Sequence, residues 1–113
     1  MPLTKKPVTG MKDITPAEMQ IREYVMNQIR ETYKSFGFSQ IETPCVEHIE
    51  NLTSKQGGDN EKLIFKVLKR GDKLNLETAQ DENDLTDSGL RYDLTLPLSR
   101  YYANNASSLP SPF

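Results

Sequence analysis

Residues 13–38, DITPAEMQIREYVMNQIRETYKSFGF, read as one long helix with both ends marked, and this segment constrains the rest of the chain most. Thr15 fits the N-cap, Pro16 the first helical position and Glu18 the third, so hydroxyl and carboxylate can reciprocally satisfy free amides as a capping box. Ile21, Val25, Ile29, Thr32 and Phe36 then form one stripe, widened by Met19, Tyr24, Met26 and Tyr33. Such a stripe must meet either a core or another subunit. Gly37 stops the helix, because glycine takes the left-handed conformation cheaply, and Phe38 can fold back onto Tyr33.

Beyond Gly37 the chain reads as a short extended piece. In FSQIETPCVE, Ile41, Thr43 and Cys45 alternate with Gln40 and Glu42, which predicts a strand. Pro44 has no amide to donate, so that strand lies at an edge or ends there, leaving a surface that a second subunit could cover. The segment LIFKVLKRGDKLNLET is expected to form a β-hairpin turning at Arg70, Gly71 and Asp72, with Leu63, Phe65 and Val67 on one strand and Leu74 and Leu76 on the other. AQDENDLTDSG has no apolar period and reads as a solvated loop. Residues 91–95, RYDLT, read as a last strand that runs into a helix opened by Pro97, with Leu94, Leu98, Tyr101 and Tyr102 at helical spacing. The order helix, strand, hairpin, strand, helix predicts an α+β fold with an antiparallel or mixed sheet flanked by helices.

Bulk properties narrow the function classes. At 113 residues and 35% hydrophobic content the chain matches one small domain with a modest core. Residues 1–13 read as an irregular arm, and NNASSLPSPF, residues 104–113, as a cut inside a loop of a longer chain. A net charge of −2, with Lys and Arg scattered, gives no field from which nucleic-acid or membrane binding could be argued. Cys45 is the single cysteine, so no internal disulfide forms; beside Pro44 and Val46 it reads as packing, and a reduced, cytoplasmic setting is expected. No apolar stretch approaches the length of a membrane span, and neither G-x-x-x-x-G-K-[ST] nor G-x-G-x-x-G occurs.

Candidate chemistry is sparse. Asp81, Asn83 and Asp84 offer oxygens but lack the order and terminal glutamate of a calcium loop, and His48 has no second ligand at metal spacing, so no metal site is expected. Gly57 and Gly58 could cradle an anion only with a helix behind them. Arg91, Asp93 and Thr95 share one face if extended, at a strand-to-helix junction. A carboxylate supplying charge and a hydroxyl supplying an oriented acceptor suit an ammonium group, and so an amino-acid substrate; the plainer reading is an ion pair with a helix cap.

VTGMKDITPAEMQIREYVMNQIRETYKSFGFSQIETPCVE, LIFKVLKRGDKL and LRYDLTLPLSRYYA together resemble, in order and spacing, the N-terminal part of the histidyl-tRNA synthetases, which are class II aminoacyl-tRNA synthetases. The resemblance covers residues 8–103 and rests most on GMKDITP and LRYDLTLP. It implies a partial class II catalytic domain over residues 1–113 and an activity in which histidine is activated with ATP and Mg2+ and transferred to tRNA(His). It implies a homodimer as well, with the helix and the strand through Ile41, Thr43 and Pro44 resembling motif 1, the dimer-forming element. Asp93 and Thr95 match the positions that hold the α-amino group of histidine, in a pattern where some members carry glutamate for the aspartate. Arg91 receives no carried-over role beyond structural support. By the same resemblance the phosphate-gripping arginine of motif 2, the histidine-specific loop, the arginine of motif 3 and the anticodon-binding domain lie after residue 113. No catalytic residue is therefore expected in this segment, and the segment alone is expected to be inactive and to hold neither ATP nor Mg2+. A rival from another class is the synthetase-like regulatory subunit of ATP phosphoribosyltransferase, and a third reading is a free-standing dimerisation module.

Overall fold

The structure is a computed structural model, and it describes residues 2–53, 62–110 and 113. The chain divides into two compact units, one of the residues up to Gln40 together with Pro110 and Phe113, the other Ile41–Leu109.

The first unit is built on helix α1, Pro16–Ser35. Thr15 has an extended backbone and its side chain accepts from the Glu18 amide at 3.3 Å, which is half of the expected capping box. The Glu18 carboxylate instead reaches Lys12 at 3.1 Å. At the other end Gly37 adopts φ 87°, its amide bonds Lys34 O at 3.0 Å, and the Phe38 amide reaches back to Tyr33 O at 3.2 Å. Those paired bonds, with the Tyr33 and Phe38 rings edge-on at 5.7 Å, are a Schellman stop with its hydrophobic contact. The stripe is not a core within the described residues: Ile21 is 68% exposed, and Val25, Ile29 and Phe36 are exposed with it.

The second unit is a three-stranded antiparallel sheet in the order β1-β3-β2, from β1 Val46–His48, β2 Lys66–Leu68 and β3 Thr86–Leu90. A single turn α2, Ile49–Leu52, comes after β1, and α3, Thr95–Asn105, after β3. Four expectations change here. Ile41, Thr43 and Pro44 precede the first strand rather than forming it: pairing begins at Val46, after the proline that cannot donate, although β1 is an edge as anticipated. No hairpin forms at Arg70–Asp72, where residues 71–73 make a short 3-10 turn and Leu74 and Leu76 carry no strand. β2 pairs with β3 instead, with an irregularity between Val67 and Leu68. The acidic stretch read as solvated loop supplies a 3-10 turn, Glu82–Asp84, and then the central strand. At the far end Asn104 and Asn105 complete α3, and Ala106–Ser108 add a 3-10 turn where a loop was expected.

Position, not propensity, makes TDSGL the central strand. Its residues pair on both sides, with Glu47 and Lys66 both opposite Gly89. Thr86 is buried and its hydroxyl bonds Glu82 O at 3.0 Å, so its polar group is satisfied. Gly89 lies where a side chain would be crowded: an added Cβ would lie 3.0 Å from Phe65 O and 3.1 Å from both Ile64 Cγ2 and Leu52 Cδ1, so its neighbours would have to give by a few tenths of an ångström. Leu52, 2% exposed, is the buried apolar centre against which the strand sits. Gly89→Ala is therefore expected to lower stability by about 1–3 kcal/mol, as overpacking does. An unchanged urea midpoint would show that the neighbours yield freely.

Candidate functional site

β3 ends at Leu90, and residues 91–94 are neither strand nor helix. The alternation that would place Arg91, Asp93 and Thr95 on one strand face consequently does not apply. Ladder pairing persists for one more bond, Arg91 N to Cys45 O at 2.9 Å, after which the chain turns into α3 with Leu94 already in helical conformation. Thr95 opens that helix, Pro97 is fully buried, and the Leu98 amide bonds Leu94 O at 3.1 Å.

Each member of the polar trio has a different environment. The Arg91 guanidinium donates through Nη1 to Thr43 O at 2.9 Å, Thr43 Oγ1 at 2.8 Å and Pro44 O at 3.3 Å. Asp93 is exposed and makes no hydrogen bond or ion pair with any described residue. Thr95 is also exposed; its carbonyl accepts from Ser99 Oγ at 3.0 Å, leaving the side-chain hydroxyl pointing to no bonded partner among the described residues. A cleft of about 290 Å3 lies alongside, lined by Ile41, Glu42 and Thr43 from one segment and by Arg91, Leu94 and Leu98 from the other.

An ion pair not foreseen from sequence anchors the helix that carries Thr95. Arg100 Nε donates to Glu47 Oε1 at 3.0 Å and Oε2 at 2.8 Å, joining α3 to the edge strand β1. The Glu47 side chain is only 3% exposed, so its charge is taken out of water and held by one partner. Fifty-three positions separate the two residues, and no local pattern in either segment links them.

The remaining candidates stay apart from this region's chemistry. Cys45 is exposed rather than packed, since it sits between Pro44 and the start of an edge strand. His48 is exposed at the end of β1. Gly57 and Gly58 lie outside the described residues. In the acidic stretch Asp81 caps its own turn, accepting from the Asn83 amide at 2.9 Å, and Glu82 pairs with Lys66 at 2.6 Å. Among the described residues no group of three or more His, Cys, Asp or Glu side chains is arranged to hold a metal, and no helix is long and apolar enough to cross a membrane.

A small antiparallel sheet with an ion-paired helix at its edge and a long capped helix before it is an α+β arrangement, that of part of a class II aminoacyl-tRNA synthetase domain. The family model for histidyl-tRNA synthetase matches residues 10–112, and the chain belongs to that family. A histidine-tRNA ligase of Porphyromonas gingivalis is 42% identical over 92% of this chain, and one of Leifsonia xyli is 44% identical over 95%. The chain spans about a quarter of the length of these curated relatives, 25% and 26% respectively. Among solved structures, a histidyl-tRNA synthetase from Nostoc sp. PCC 7120 superposes with a TM-score of 0.73 at 29% identity, over 99% of this chain and 22% of that one. A Bacillus halodurans protein described as an ATP phosphoribosyltransferase regulatory subunit/histidyl-tRNA synthetase gives 0.72 at 23% identity, over 100% of this chain and 26% of that one, a likeness of fold.

Proposed function

We propose that residues 1–113 are the N-terminal segment of a class II catalytic domain, and that the whole protein ligates histidine to tRNA(His) in the cytoplasm. Histidine is first activated with ATP and Mg2+ and then transferred. The observation that carries this reading is the family match over residues 10–112, joined to relatives named histidine-tRNA ligase at 42% and 44% identity. In it, Asp93 and Thr95 hold the α-amino group of histidine, and Ile41, Thr43 and Pro44 contribute to a homodimer interface together with α1.

Two features favour these assignments physically. Asp93 has no internal partner among the described residues, so its carboxylate is available to an ammonium group. The apolar stripe of α1 is exposed, as a helix face reserved for a second subunit would be. In this proposal ATP and Mg2+ are used by the whole enzyme, and no residue of this segment is assigned to them.

The test is histidine-dependent ATP–pyrophosphate exchange by the whole protein, then charging of tRNA(His). Exchange with histidine and with no other amino acid is expected. A second reading, a regulatory subunit of ATP phosphoribosyltransferase, is favoured by the Bacillus halodurans likeness alone. Absence of both exchange and charging, with stimulation of a phosphoribosyltransferase, would replace the first reading by the second.

A further inference from the structure

Arg91 stands out because one residue grips another segment three times with its side chain and once with its backbone. Its amide bonds Cys45 O at 2.9 Å, and its guanidinium takes Thr43 O, Thr43 Oγ1 and Pro44 O. All three side-chain bonds leave from Nη1, so one end of the guanidinium gathers three oxygens of the facing segment. Thr43 and Pro44, which its side chain grips, lie before β1, which begins only at Val46. The segment it belongs to lies between the end of β3 at Leu90 and the start of α3 at Thr95.

We propose that Arg91 is a positioning residue that sets the placement of Asp93 and Thr95 by tethering their turn to Thr43 and Pro44. Residues 91–95 are held at one end by this clamp and at the other by α3, itself anchored through the buried Pro97 and the Arg100–Glu47 pair. The Arg91 end touches residues assigned to the subunit interface, Thr43 and Pro44. The cleft shared by Ile41, Glu42, Thr43, Arg91, Leu94 and Leu98 is the space across which the two segments face each other. Any shift of Thr43 and Pro44 when a second subunit seats against them is transmitted through the guanidinium to the turn that carries Asp93. Affinity for the amino acid thereby becomes dependent on assembly, and this inference rests on the histidine-binding reading given above.

The test uses the whole protein and compares KM for histidine with KM for ATP in pyrophosphate exchange. Arg91→Ala is expected to raise the histidine KM about tenfold or more, with the ATP KM within about twofold of the parent, because misplacement of a binding group acts on the ligand it holds. Arg91→Lys should recover part of that loss. Thr43→Val removes a single acceptor, keeps the branched shape and leaves both carbonyls, so it remains usable if Arg91→Ala fails to fold. It should raise the histidine KM roughly threefold, and add nothing on top of Arg91→Ala, since both act through one contact. Histidine and ATP KM values rising together, or effects of Thr43→Val and Arg91→Ala that multiply, would overturn the proposal. Asp93→Asn separates the two levels: if it raises the histidine KM while the Arg91 and Thr43 variants do not, positioning fails alone. If Asp93→Asn leaves the histidine KM unchanged, the binding reading fails and the positioning proposal falls with it.

Discussion

Arg100→Met is expected to cost about 3–5 kcal/mol of folding stability, the range found when one partner of a buried ion pair is removed. The Glu47 carboxylate is 3% exposed and both its oxygens are taken by Arg100 Nε, at 3.0 and 2.8 Å. Losing the guanidinium strands a charge that cannot reach water. For a protein stable by about 5–15 kcal/mol this is a large fraction of the total. The reciprocal change, Glu47→Leu, should cost less, because the Arg100 side chain is 32% exposed and can turn its charge outward. Glu47→Leu combined with Arg100→Met should recover much of the loss, since replacing both charges by apolar groups of similar volume removes the desolvation penalty. Urea unfolding of the four proteins gives the comparison. An Arg100→Met penalty below that of Glu47→Leu would mean that the carboxylate finds another donor.

Asp93→Ala carries the other large effect, and it should divide binding from folding. Removing one partner of a desolvated, hydrogen-bonded charge pair costs about 2–5 kcal/mol, so the histidine KM in pyrophosphate exchange is expected to rise roughly 30-fold or more. Thr95→Val removes a neutral acceptor and should cost about 1 kcal/mol, several-fold in KM. Stability should barely move with Asp93→Ala, staying within about 0.5 kcal/mol, because the carboxylate is exposed and bonds nothing among the described residues. A loss of stability with an unchanged histidine KM would assign Asp93 to the fold and not to the substrate.

Legibility in the sequence tracked the range of the interactions. α1 was readable end to end because its stop and start depend on neighbours within about one turn: Thr15 with Glu18, Gly37 with Lys34, Phe38 with Tyr33. The start of α3 near Pro97 was equally local. The strands were not. Leu74 and Leu76 alternate as a strand would but find no partner, while TDSGL, weak in β-formers, lies in the middle of the sheet because residues 46–48 and 66–68 pair with it on either side.

The candidate site divides the same way. Asp93 and Thr95 could be singled out from the residue types in LRYDLT and their resemblance to a histidine-binding pattern. Their environment could not, because the strand assumed beneath them ends at Leu90. Arg91 carried a charge with no assignable purpose until Thr43 and Pro44, 48 and 47 positions away, came within hydrogen-bond distance. Glu47 and Arg100 were ordinary charged residues for the same reason.

By itself, then, the sequence determined one capped amphipathic helix, a helix opening near Pro97 and the chemical types at the site, all matters of local geometry and periodicity. Only the tertiary structure decided which strand is central, how closely Gly89 is packed and what Arg91 and Arg100 hold. Those depend on steric contact and on charge removed from water, which arise when distant segments meet.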